Sequence, residues 1–444
     1  MNNKRIVILG GGESGTGAAL LAQKAGMKPF VSDNGAIKGC FTNELQRMNI
    51  PYEVHGHTSA IYNADLVVKS PGIPDESQTI KDLRARDIEI ISEIEFAWRF
   101  CKGKVIGITG ANGKTTTTLL TNYIFESAGL RSIAAGNVGY SFSRAVMAGY
   151  DYYILEVSSF QLDGITGFKP HIAILTNITP DHLDRYHNSF QEYAQSKMRI
   201  TMNQDEHDHL IVCADDPKTM EMLAQTSVKA QIHRITLTAD SSAAAYLKDN
   251  TIHIEINQKR TDMTLEELAL QGRHNVYNSM AAGVASRLVD IRKENIKQCL
   301  SDFKNAGHRL EKVATIHGVT FINDSKATNV NSTWFALESQ RDPIIWIAGG
   351  IDKGNDYSKL TELVKERVDV LICLGKDNRK LVEAFIDHVD VIQQANSMQE
   401  AVNMAYQAAH PGETVLLSPA CASFDLFENY EERGEKFIEA VNNL

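Results

Sequence analysis

The chain has 444 residues, a formal net charge of -10 at pH 7, 43% hydrophobic residues and 7% aromatic residues. Hydrophobic cores stop growing at roughly 250 to 300 residues, so this length predicts two or three domains. The acidic balance argues against a protein that binds the phosphate backbone of nucleic acids, and the low aromatic content does not indicate a stacking platform for single strands.

The amino terminus reads MNNKRIVILGGGESG, which indicates a strand and a glycine turn and lacks the apolar stretch and cleavage site of a signal peptide. No apolar run approaches the ~20 residues of a membrane span. The six cysteines lie far apart without a CxxC pair, a pattern typical of reduced thiols. We therefore expect a cytoplasmic protein without membrane insertion.

Short β-branched runs followed by amphipathic stretches recur along the chain, and this alternation predicts an α/β fold with mostly parallel sheets. The domains are expected at 1–99, 100–303 and 304–444. A small antiparallel insertion is predicted in the polar segment Ile232–Leu270. The predicted strands are Arg5–Leu9, Leu66–Lys69, Lys104–Thr109, Tyr152–Val157, Ile172–Asn177, Leu210–Ala214, Ile344–Ala348, Val368–Leu374 and Thr414–Ser418.

The first predicted strand leads into Gly10-x-Gly12-x-x-Gly15 and then a helix, and Asp33 ends a second strand about twenty residues further on. This is the dinucleotide fingerprint, in which glycines admit a pyrophosphate and the acid binds ribose hydroxyls. The motif alone leaves two interpretations open. One is a nicotinamide dehydrogenase, and the other is a tight turn without a ligand.

A second glycine turn follows the strand Lys104–Thr109 and precedes a helix-like run at Thr118–Ala128. Glycines let backbone N–H groups face phosphate oxygens, Lys114 supplies positive charge, and the Thr115 hydroxyl is suited to bind Mg²⁺. Ile108 stands where the general phosphate loop has its first glycine, so an ordinary turn also remains open. The turn reads Gly110-Ala111-Asn112-Gly113-Lys114-Thr115-Thr116-Thr117.

The string ITGANGKTT resembles the TGxxGKT loop of the Mur ligase and folylpolyglutamate synthetase superfamily. Further motifs agree with it: GNVG with Asn137, LEVSSFQL with Glu156, TPDHLDRY with His182 and EYAQSK ending at Lys197. The resemblance implies a Rossmann-like N-terminal domain for a UDP-linked substrate, a central ATPase domain of the P-loop type and a Rossmann-like C-terminal domain. It also implies an ATP-dependent ligase that joins a carboxylate to an amino acid.

The resemblance assigns catalytic roles to Lys114, Glu156, His182 and Lys197. Thr115, Glu156, His182 and a carbamylated Lys197 would organise two Mg²⁺ ions around the ATP phosphates. A carbamate replaces the ammonium charge with oxygen ligands, and burial would favour the neutral amine that reacts with CO₂. Read singly, Lys197 is typical of a solvated helix lysine, Glu156 of a strand-end carboxylate and His182 of a turn residue. The implied ATP contacts are Gly110, Ala111, Asn112, Gly113, Lys114, Thr115, Thr116, Asn275, Arg309 and Asp324.

At the nucleotide-sugar end, SPGIP at residues 70–74 resembles a second UDP contact loop of muramoyl ligases. Family members often place a threonine and a basic residue after the aspartate at position 33, whereas Asn34 and Gly35 follow here. The contacts to uracil therefore stay open. The implied UDP-substrate contacts are Ser14, Gly15, Asp33, Gly72, Asn137 and Gln161.

The third domain carries GHRLE, INDSKATN, GGIDKGNDY and SPACASFDLF. This set most closely resembles the D-glutamate-adding branch, because sister ligases usually carry a DxxH-type string where this chain reads DSKATN. A dicarboxylic amino acid needs cationic and hydroxyl donors. The implied D-glutamate contacts are Lys326, Thr328, Lys353, Ser423, Phe424 and Tyr430.

We therefore expect ATP-dependent addition of D-glutamate to UDP-N-acetylmuramoyl-L-alanine in peptidoglycan synthesis, through an acyl phosphate and with release of ADP and phosphate. The expected cofactors are ATP, two Mg²⁺ ions and a CO₂-derived carbamate on Lys197. We expect a monomer without a nucleic-acid partner. The alternatives are another amino-acid-adding ligase of the superfamily, a nicotinamide dehydrogenase and a non-catalytic nucleotide-binding module.

Overall fold

The computed structural model describes residues 3–303, 307–340 and 342–444. These residues divide into two compact units. The first unit contains the residues up to Ala269 together with Tyr277–Phe303, and the second contains Leu270–Val276 together with the residues after Phe303. The boundary expected between positions 303 and 304 meets Lys304, which lies outside the described residues.

The first unit begins with five parallel strands, β1 Arg5–Leu9, β2 Lys28–Ser32, β3 Tyr52–Glu53, β4 Leu66–Lys69 and β5 Ile90–Ser92. Their order in the sheet is β3-β2-β1-β4-β5. Both faces are covered, so that consecutive residues Ile6 to Leu9 are all buried, as in parallel sheets generally. The accompanying helices are α1 Glu13–Lys24, α2 Gly39–Arg47, α3 Gln78–Arg84 and α4 Glu93–Trp98.

A nine-stranded sheet forms the rest of the first unit. Its strands are β6 Lys104–Thr109, β7 Ser132–Gly136, β8 Tyr152–Glu156, β9 Ile172–Leu175, β10 His209–Cys213, β11 Gln231–Thr236, β12 Ala245–Lys248, β13 Thr251–Ile256 and β14 Lys259–Thr264. The order is β14-β13-β12-β11-β10-β9-β6-β8-β7, which places β6 between β8 and β9. The helices are α5 Lys114–Ser127, α6 Phe142–Ala148, α7 Ser159–Asp163, α8 Phe190–Met198, α9 Pro217–Gln225, α10 Arg273–Leu288 and α11 Lys293–Asp302. The residues of α10 up to Val276 belong to the second unit.

The antiparallel strands expected within Ile232–Leu270 are present as β12, β13 and β14. They are not a separate insertion, because β12 pairs in parallel with β11 and so continues the central sheet. An unpaired strand edge exposes backbone donors and acceptors, and this extension satisfies the edge of β11.

The second unit is built on a six-stranded sheet in which only β15 runs antiparallel to its neighbour. The strands are β15 Glu311–Ile316, β16 Val319–Asn323, β17 Ile344–Ala348, β18 Val368–Leu374, β19 Val391–Ala395 and β20 Thr414–Leu417, in the order β15-β16-β20-β17-β18-β19. The helices are α12 Val330–Ser339, α13 Thr361–Arg367, α14 Arg379–Phe385, α15 Met398–Ala408 and α16 Tyr430–Asn442.

The predicted α/β class with mostly parallel sheets is confirmed, and every strand predicted from the sequence is present within one or two residues. The helix after the second glycine turn was placed too late. It begins at Lys114 and not at Thr118, because Gly113 in the left-handed conformation ends the turn directly before it. Within the described parts of the chain, no helix combines the length and apolar character that a membrane span requires.

Candidate active site

The glycine turn between β6 and α5 leaves no room for side chains at two positions. Gly110 has φ +148° and Gly113 has φ +85°, in the region that glycine adopts without strain. A Cβ at Gly110 would overlap Thr176 Oγ1, and a Cβ at Gly113 would overlap Asn278 Oδ1. The turn is therefore held close to its neighbours, with its backbone N–H groups at the N-terminus of α5, where an anion is stabilised.

Two residues beyond β9 hold this turn from the side. Asn177 accepts hydrogen bonds from Ala111 N at its backbone oxygen, 2.9 Å, and from Asn112 N at its side-chain oxygen, 3.0 Å. Thr176 Oγ1 donates to the backbone oxygen of Asn112 at 2.6 Å. Thr176 and Asn177 were not predicted as site residues. Their position at the carboxyl end of a strand was the available signal.

Two lysine side chains converge on one carbonyl of the turn. Lys114 Nζ donates to Gly110 O at 2.9 Å and to Ala111 O at 2.8 Å, and Lys197 Nζ donates to Gly110 O at 2.7 Å. Lys197 is only 2% exposed, with the Tyr193 ring 4.6 Å from Nζ. Burial, together with the charge of Lys114, holds the pKa of Lys197 well below its usual range. Lys197 is thus a buried lysine and not a solvated one.

A carboxylate and a hydroxyl lie side by side at the start of α5. Thr115 Oγ1 donates to Glu156 Oε2 at 2.6 Å, and Asn137 Nδ2 donates to Glu156 Oε1 at 2.8 Å. Both Thr115 and Glu156 are buried. Hard divalent cations prefer oxygen ligands of this kind, so the pair fits a Mg²⁺ site that phosphate oxygens and water would complete.

His182 precedes a short 3₁₀ turn and has a left-handed backbone with φ +52°. Its Nε2 lies 3.6 Å from Asp181 Oδ2, and its ring meets Phe160 edge-on at 5.2 Å. The charge of Asp181 also opposes the lowering of the pKa of Lys197, so Asp181 is a second carboxylate of this region that sequence reasoning missed. No cluster of three or more histidine, cysteine, aspartate or glutamate side chains suited to a metal occurs among the described residues.

The N-terminal glycine turn folds as its fingerprint predicts. A Cβ at Gly15 would overlap the backbone oxygen of Gly10, so glycine allows α1 to pack directly on the turn. Asp33 accepts hydrogen bonds from Gly11 N at 2.7 Å and from Gly35 N at 2.8 Å. Ser14 lies in the first turn of α1, beside this network.

The second predicted UDP contact loop reaches the segment that carries His182. Arg185 donates to the backbone oxygen of Gly72 at 3.4 Å and lies over the ring of Phe160, 4.5 Å from its centroid. Gln161 is buried in α7, where its side-chain oxygen accepts from Ser158 N at 2.8 Å in a capping box. The first unit therefore brings the predicted Gly72 loop close to α7, directly after Glu156.

In the second unit, Asp324 is fully enclosed after β16. Its Oδ2 accepts from Ser418 Oγ at 2.9 Å and its Oδ1 from Leu310 N at 3.3 Å. Burial raises the pKa of Asp324 to about 7, against the opposing charge of Arg309. Arg309 Nε is buried and has no hydrogen-bond partner among the described residues, which fits a donor reserved for an anionic ligand. Asn275, in the first turn of α10, donates to Gln271 O at 2.8 Å.

Five of the six predicted amino-acid contacts lie on loops that follow β16, β17 and β20, and Tyr430 begins α16. Lys326 Nζ lies 5.0 Å from the centroid of the Tyr430 ring, and Thr328 N donates to Lys326 O at 3.0 Å. Ser423 is buried. Phe424 is 67% exposed and Lys353 is also exposed, so these two side chains do not enclose a site in the described second unit.

Arg433, which the sequence analysis missed, joins these three loops. Its Nε donates to Ser325 Oγ at 3.0 Å and its Nη2 to Ser325 O at 2.8 Å, while its Nη1 donates to Cys421 O at 3.1 Å and to Gly349 O at 3.5 Å. The side chain is 2% exposed, and burial lowers the pKa of Arg433 to about 10. In sequence it reads as an ordinary charged helix residue.

A cavity of ≈ 550 Å³ opens beyond β17 and β18 in the second unit. Gly350, Asp352, Asn378 and Cys421 are among its lining residues. The six predicted D-glutamate contacts are not among the described residues that line it. The cavity is formed by residues that follow β17, β18 and β20, at the carboxyl edge of the sheet.

Three family models match this chain. The Mur ligase middle domain matches residues 108–286, the Mur ligase glutamate ligase domain matches residues 308–421, and the MurD N-terminal domain matches residues 5–79. The middle-domain match contains the glycine turn, Glu156, His182 and Lys197.

Curated relatives match over the whole chain. A UDP-N-acetylmuramoylalanine--D-glutamate ligase from Christiangramia forsetii is 51% identical and covers 99% of this chain and 100% of its own length. One from Bacteroides thetaiotaomicron is 50% identical with the same coverage. Among solved structures, UDP-N-acetylmuramate-alanine ligase MurC from Thermotoga maritima aligns with a TM-score of 0.65 at 18% identity, covering 99% of this chain and 100% of that one. This last likeness concerns the fold alone.

Proposed function

Because this chain belongs to the Mur ligase family, we propose that it joins D-glutamate to UDP-N-acetylmuramoyl-L-alanine with the free energy of ATP hydrolysis. It is an acid–amino-acid ligase of peptidoglycan synthesis and contributes to cell-wall biogenesis. The observation that carries the mechanism is the arrangement of Thr115 on Glu156 at 2.6 Å, with the amine of Lys197 2.7 Å from the carbonyl of Gly110.

In the first step, the terminal carboxylate of the UDP-linked precursor attacks the γ-phosphate of ATP, which releases ADP and forms an acyl phosphate. The N–H groups at the N-terminus of α5 hold the phosphates, while those of Ala111 and Asn112 stay bonded to Asn177. The Lys114 ammonium leaves its resting hydrogen bonds to Gly110 and Ala111 and neutralises the charge that develops on the transferred phosphoryl group. Positioning and charge neutralisation supply most of the acceleration in such transfers.

Thr115, Glu156, His182 and the modified Lys197 would hold two Mg²⁺ ions. When bound, these ions supply charge stabilisation for the phosphate oxygens. Asn137 contributes by fixing Glu156 through the hydrogen bond to Oε1, which leaves Oε2 directed to Thr115.

We propose that Lys197 carries a carbamate. Its burial and the nearby ammonium of Lys114 favour the neutral amine, which is the form that adds CO₂. The carbamate replaces the Lys197 ammonium, which Lys114 would repel, by an anion that Lys114 attracts. Lys114 is already close to this position, because both lysines donate to the carbonyl of Gly110.

In the second step, the amine of D-glutamate attacks the acyl phosphate and phosphate leaves. Arg433 keeps the three amino-acid loops in place.

We propose that the UDP-linked precursor contacts Ser14, Gly15, Asp33, Gly72, Asn137 and Gln161. ATP also contacts Asn275, Arg309 and Asp324. D-glutamate contacts Lys326, Thr328, Lys353, Ser423, Phe424 and Tyr430. We further propose domains at 1–99, 100–303 and 304–444, a monomeric state and a cytoplasmic location.

The decisive experiment measures ADP release with UDP-N-acetylmuramoyl-L-alanine and D-glutamate, singly and together. Only the pair should give full turnover, and replacing D-glutamate by L-alanine, L-lysine or diaminopimelate should not support it. A different preferred amino acid would reassign the chain within the family. Lys114→Ala should lose acyl-phosphate formation and keep UDP-substrate binding, whereas Lys102→Ala, at an exposed position, should behave as the wild type.

A further inference from the structure

The N-terminus of α6 is satisfied by two carboxylates from the helices of the five-stranded sheet. Glu13 Oε1 accepts from Ser141 N at 3.0 Å, and Glu93 Oε1 accepts from Ser143 N at 2.6 Å. The hydroxyl of Ser141, the N-cap residue, makes no hydrogen bond to any described residue, so α6 does not cap itself. The first N–H groups of a helix need an outside partner, and here that partner comes from α1 and α4.

Arg144, in the first turn of α6, makes a second connection to the same side. Its Nε lies 2.9 Å from Glu13 Oε1, and its two terminal nitrogens pair with both carboxylate oxygens of Glu44 at 2.8 Å and 2.5 Å. Gly17 lets α1 and α6 approach closely, because a Cβ there would overlap Ser141 Oγ. A bidentate pair of this kind fixes orientation as well as distance.

These contacts join the two ligand loops of the first unit. Glu13 is the residue before Ser14, which belongs to the proposed UDP contacts. At the other end, Ser141 follows a short turn that Gly136 N closes on Tyr140 O at 2.9 Å. Asn137, within that turn, binds Glu156 through both its backbone N–H, 2.9 Å, and its side chain, 2.8 Å.

We propose that Glu13 is a positioning residue that couples binding of the UDP-linked substrate to the phosphate site, through Ser141, Asn137 and Glu156. The inference rests on the proposed function. A ligand seated on the first glycine turn fixes Glu13, and Glu13 fixes the turn that orients the carboxylate beside Thr115. Such coupling is reciprocal, so each of the two ligands strengthens binding of the other.

The test uses the full-length chain and titration calorimetry with a non-hydrolysable ATP analogue and Mg²⁺, with and without UDP-N-acetylmuramoyl-L-alanine. In the wild type, the UDP-linked substrate should lower the Kd of the analogue by about fivefold or more. In Glu13→Ala, the ratio of the Kd of the analogue without the UDP-linked substrate to its Kd with that substrate should be close to one. Glu44→Ala is the matched control, since it removes the bidentate partner of Arg144 but keeps the bond to Ser141, and its ratio should stay as in the wild type.

A second variant, Glu13→Asp, keeps the charge and is accepted at a helix start, but its shorter side chain does not reach Ser141. The Kd ratio of Glu13→Asp should also be close to one. This variant keeps the test decisive if Glu13→Ala fails to fold. An unchanged ratio in the folded Glu13 variants, an equal loss in Glu44→Ala, or a wild-type ratio of one would overturn the inference. Failure of either ligand to bind the wild type would instead overturn the proposed function.

Discussion

Glu93, the first residue of α4, should make the stability of this chain depend on pH. Its side chain is 2% exposed, Oε1 accepts from Ser143 N at 2.6 Å, and Oε2 has no hydrogen-bond partner among the described residues. Burial is the main cause that raises the pKa of Glu93 from 4.5 to about 7, and the hydrogen bonds from Ser143 oppose it only in part. The perturbation is Glu93→Gln, which removes the titrating proton.

The sign follows from proton binding. Between pH 4.5 and about 7 the folded chain keeps the proton on Glu93, whereas the unfolded chain has released it. The free energy of unfolding therefore falls as the pH rises through this window, and the fall is complete above it. At 1.36 kcal/mol for each pH unit between the two pKa values, the contribution of Glu93 is about 3 kcal/mol. The glutamine variant lacks this contribution.

The assay is urea unfolding at several pH values from 5 to 8 for the wild type, Glu93→Gln and the exposed control Glu126→Gln. Other titrating groups act equally in all three chains, so the difference between curves isolates Glu93. From pH 5 to pH 8, the free energy of unfolding of Glu93→Gln should rise relative to the wild type by about 2 to 3 kcal/mol. Parallel curves for these two chains would refute the reasoning.

Three further predictions concern Lys197 and Gly113 in the first unit and Arg433 in the second. Lys197→Ala should lose most turnover. Short-chain carboxylates should partly restore it, because a carboxylate takes the place of the missing carbamate, whereas high bicarbonate should not. Wild-type turnover in this variant would remove the carbamate from the mechanism. Gly113→Ala should raise the KM for ATP at least ~10-fold, since φ is +85° and a Cβ would overlap Asn278. Gly129→Ala is its control, at φ +80° with no described atom within 4 Å of a Cβ, and should cost about 1 to 2 kcal/mol of stability without changing that KM. Arg433→Lys should raise the KM for D-glutamate and leave the KM for ATP unchanged, because a lysine cannot span the carbonyls of three loops; equal rises in both constants would indicate a general structural role.

The fold was largely accessible from the sequence because parallel strands are buried on both faces and appear as continuous apolar runs. Leu66–Lys69 and Ile344–Ala348 match residue for residue. The first residue of α5 was harder to predict from the sequence. Its first turn contains Thr115, Thr116 and Thr117, and β-branched residues weaken a helical signal, whereas in the structure all three are buried.

The candidate site was accessible only where its residues lie in short motifs. Glu156 and Lys197 were identified through their neighbours in sequence. Asn177 and Arg433 were missed because their partners are distant: Asn177 holds Asn112, 65 positions away, and Arg433 holds Ser325, 108 positions away. Relations of this length are produced by sheet topology, which a local pattern does not contain.

The contacts of Arg433 have an evolutionary consequence. Three of its four hydrogen bonds end on main-chain oxygens, which every amino acid possesses. Mutations that exchange the side chains of these loops therefore leave three of the four hydrogen bonds intact. A lineage could alter which amino acid the loops select while inheriting their backbone path unchanged, so new specificities could arise here with little loss of foldedness.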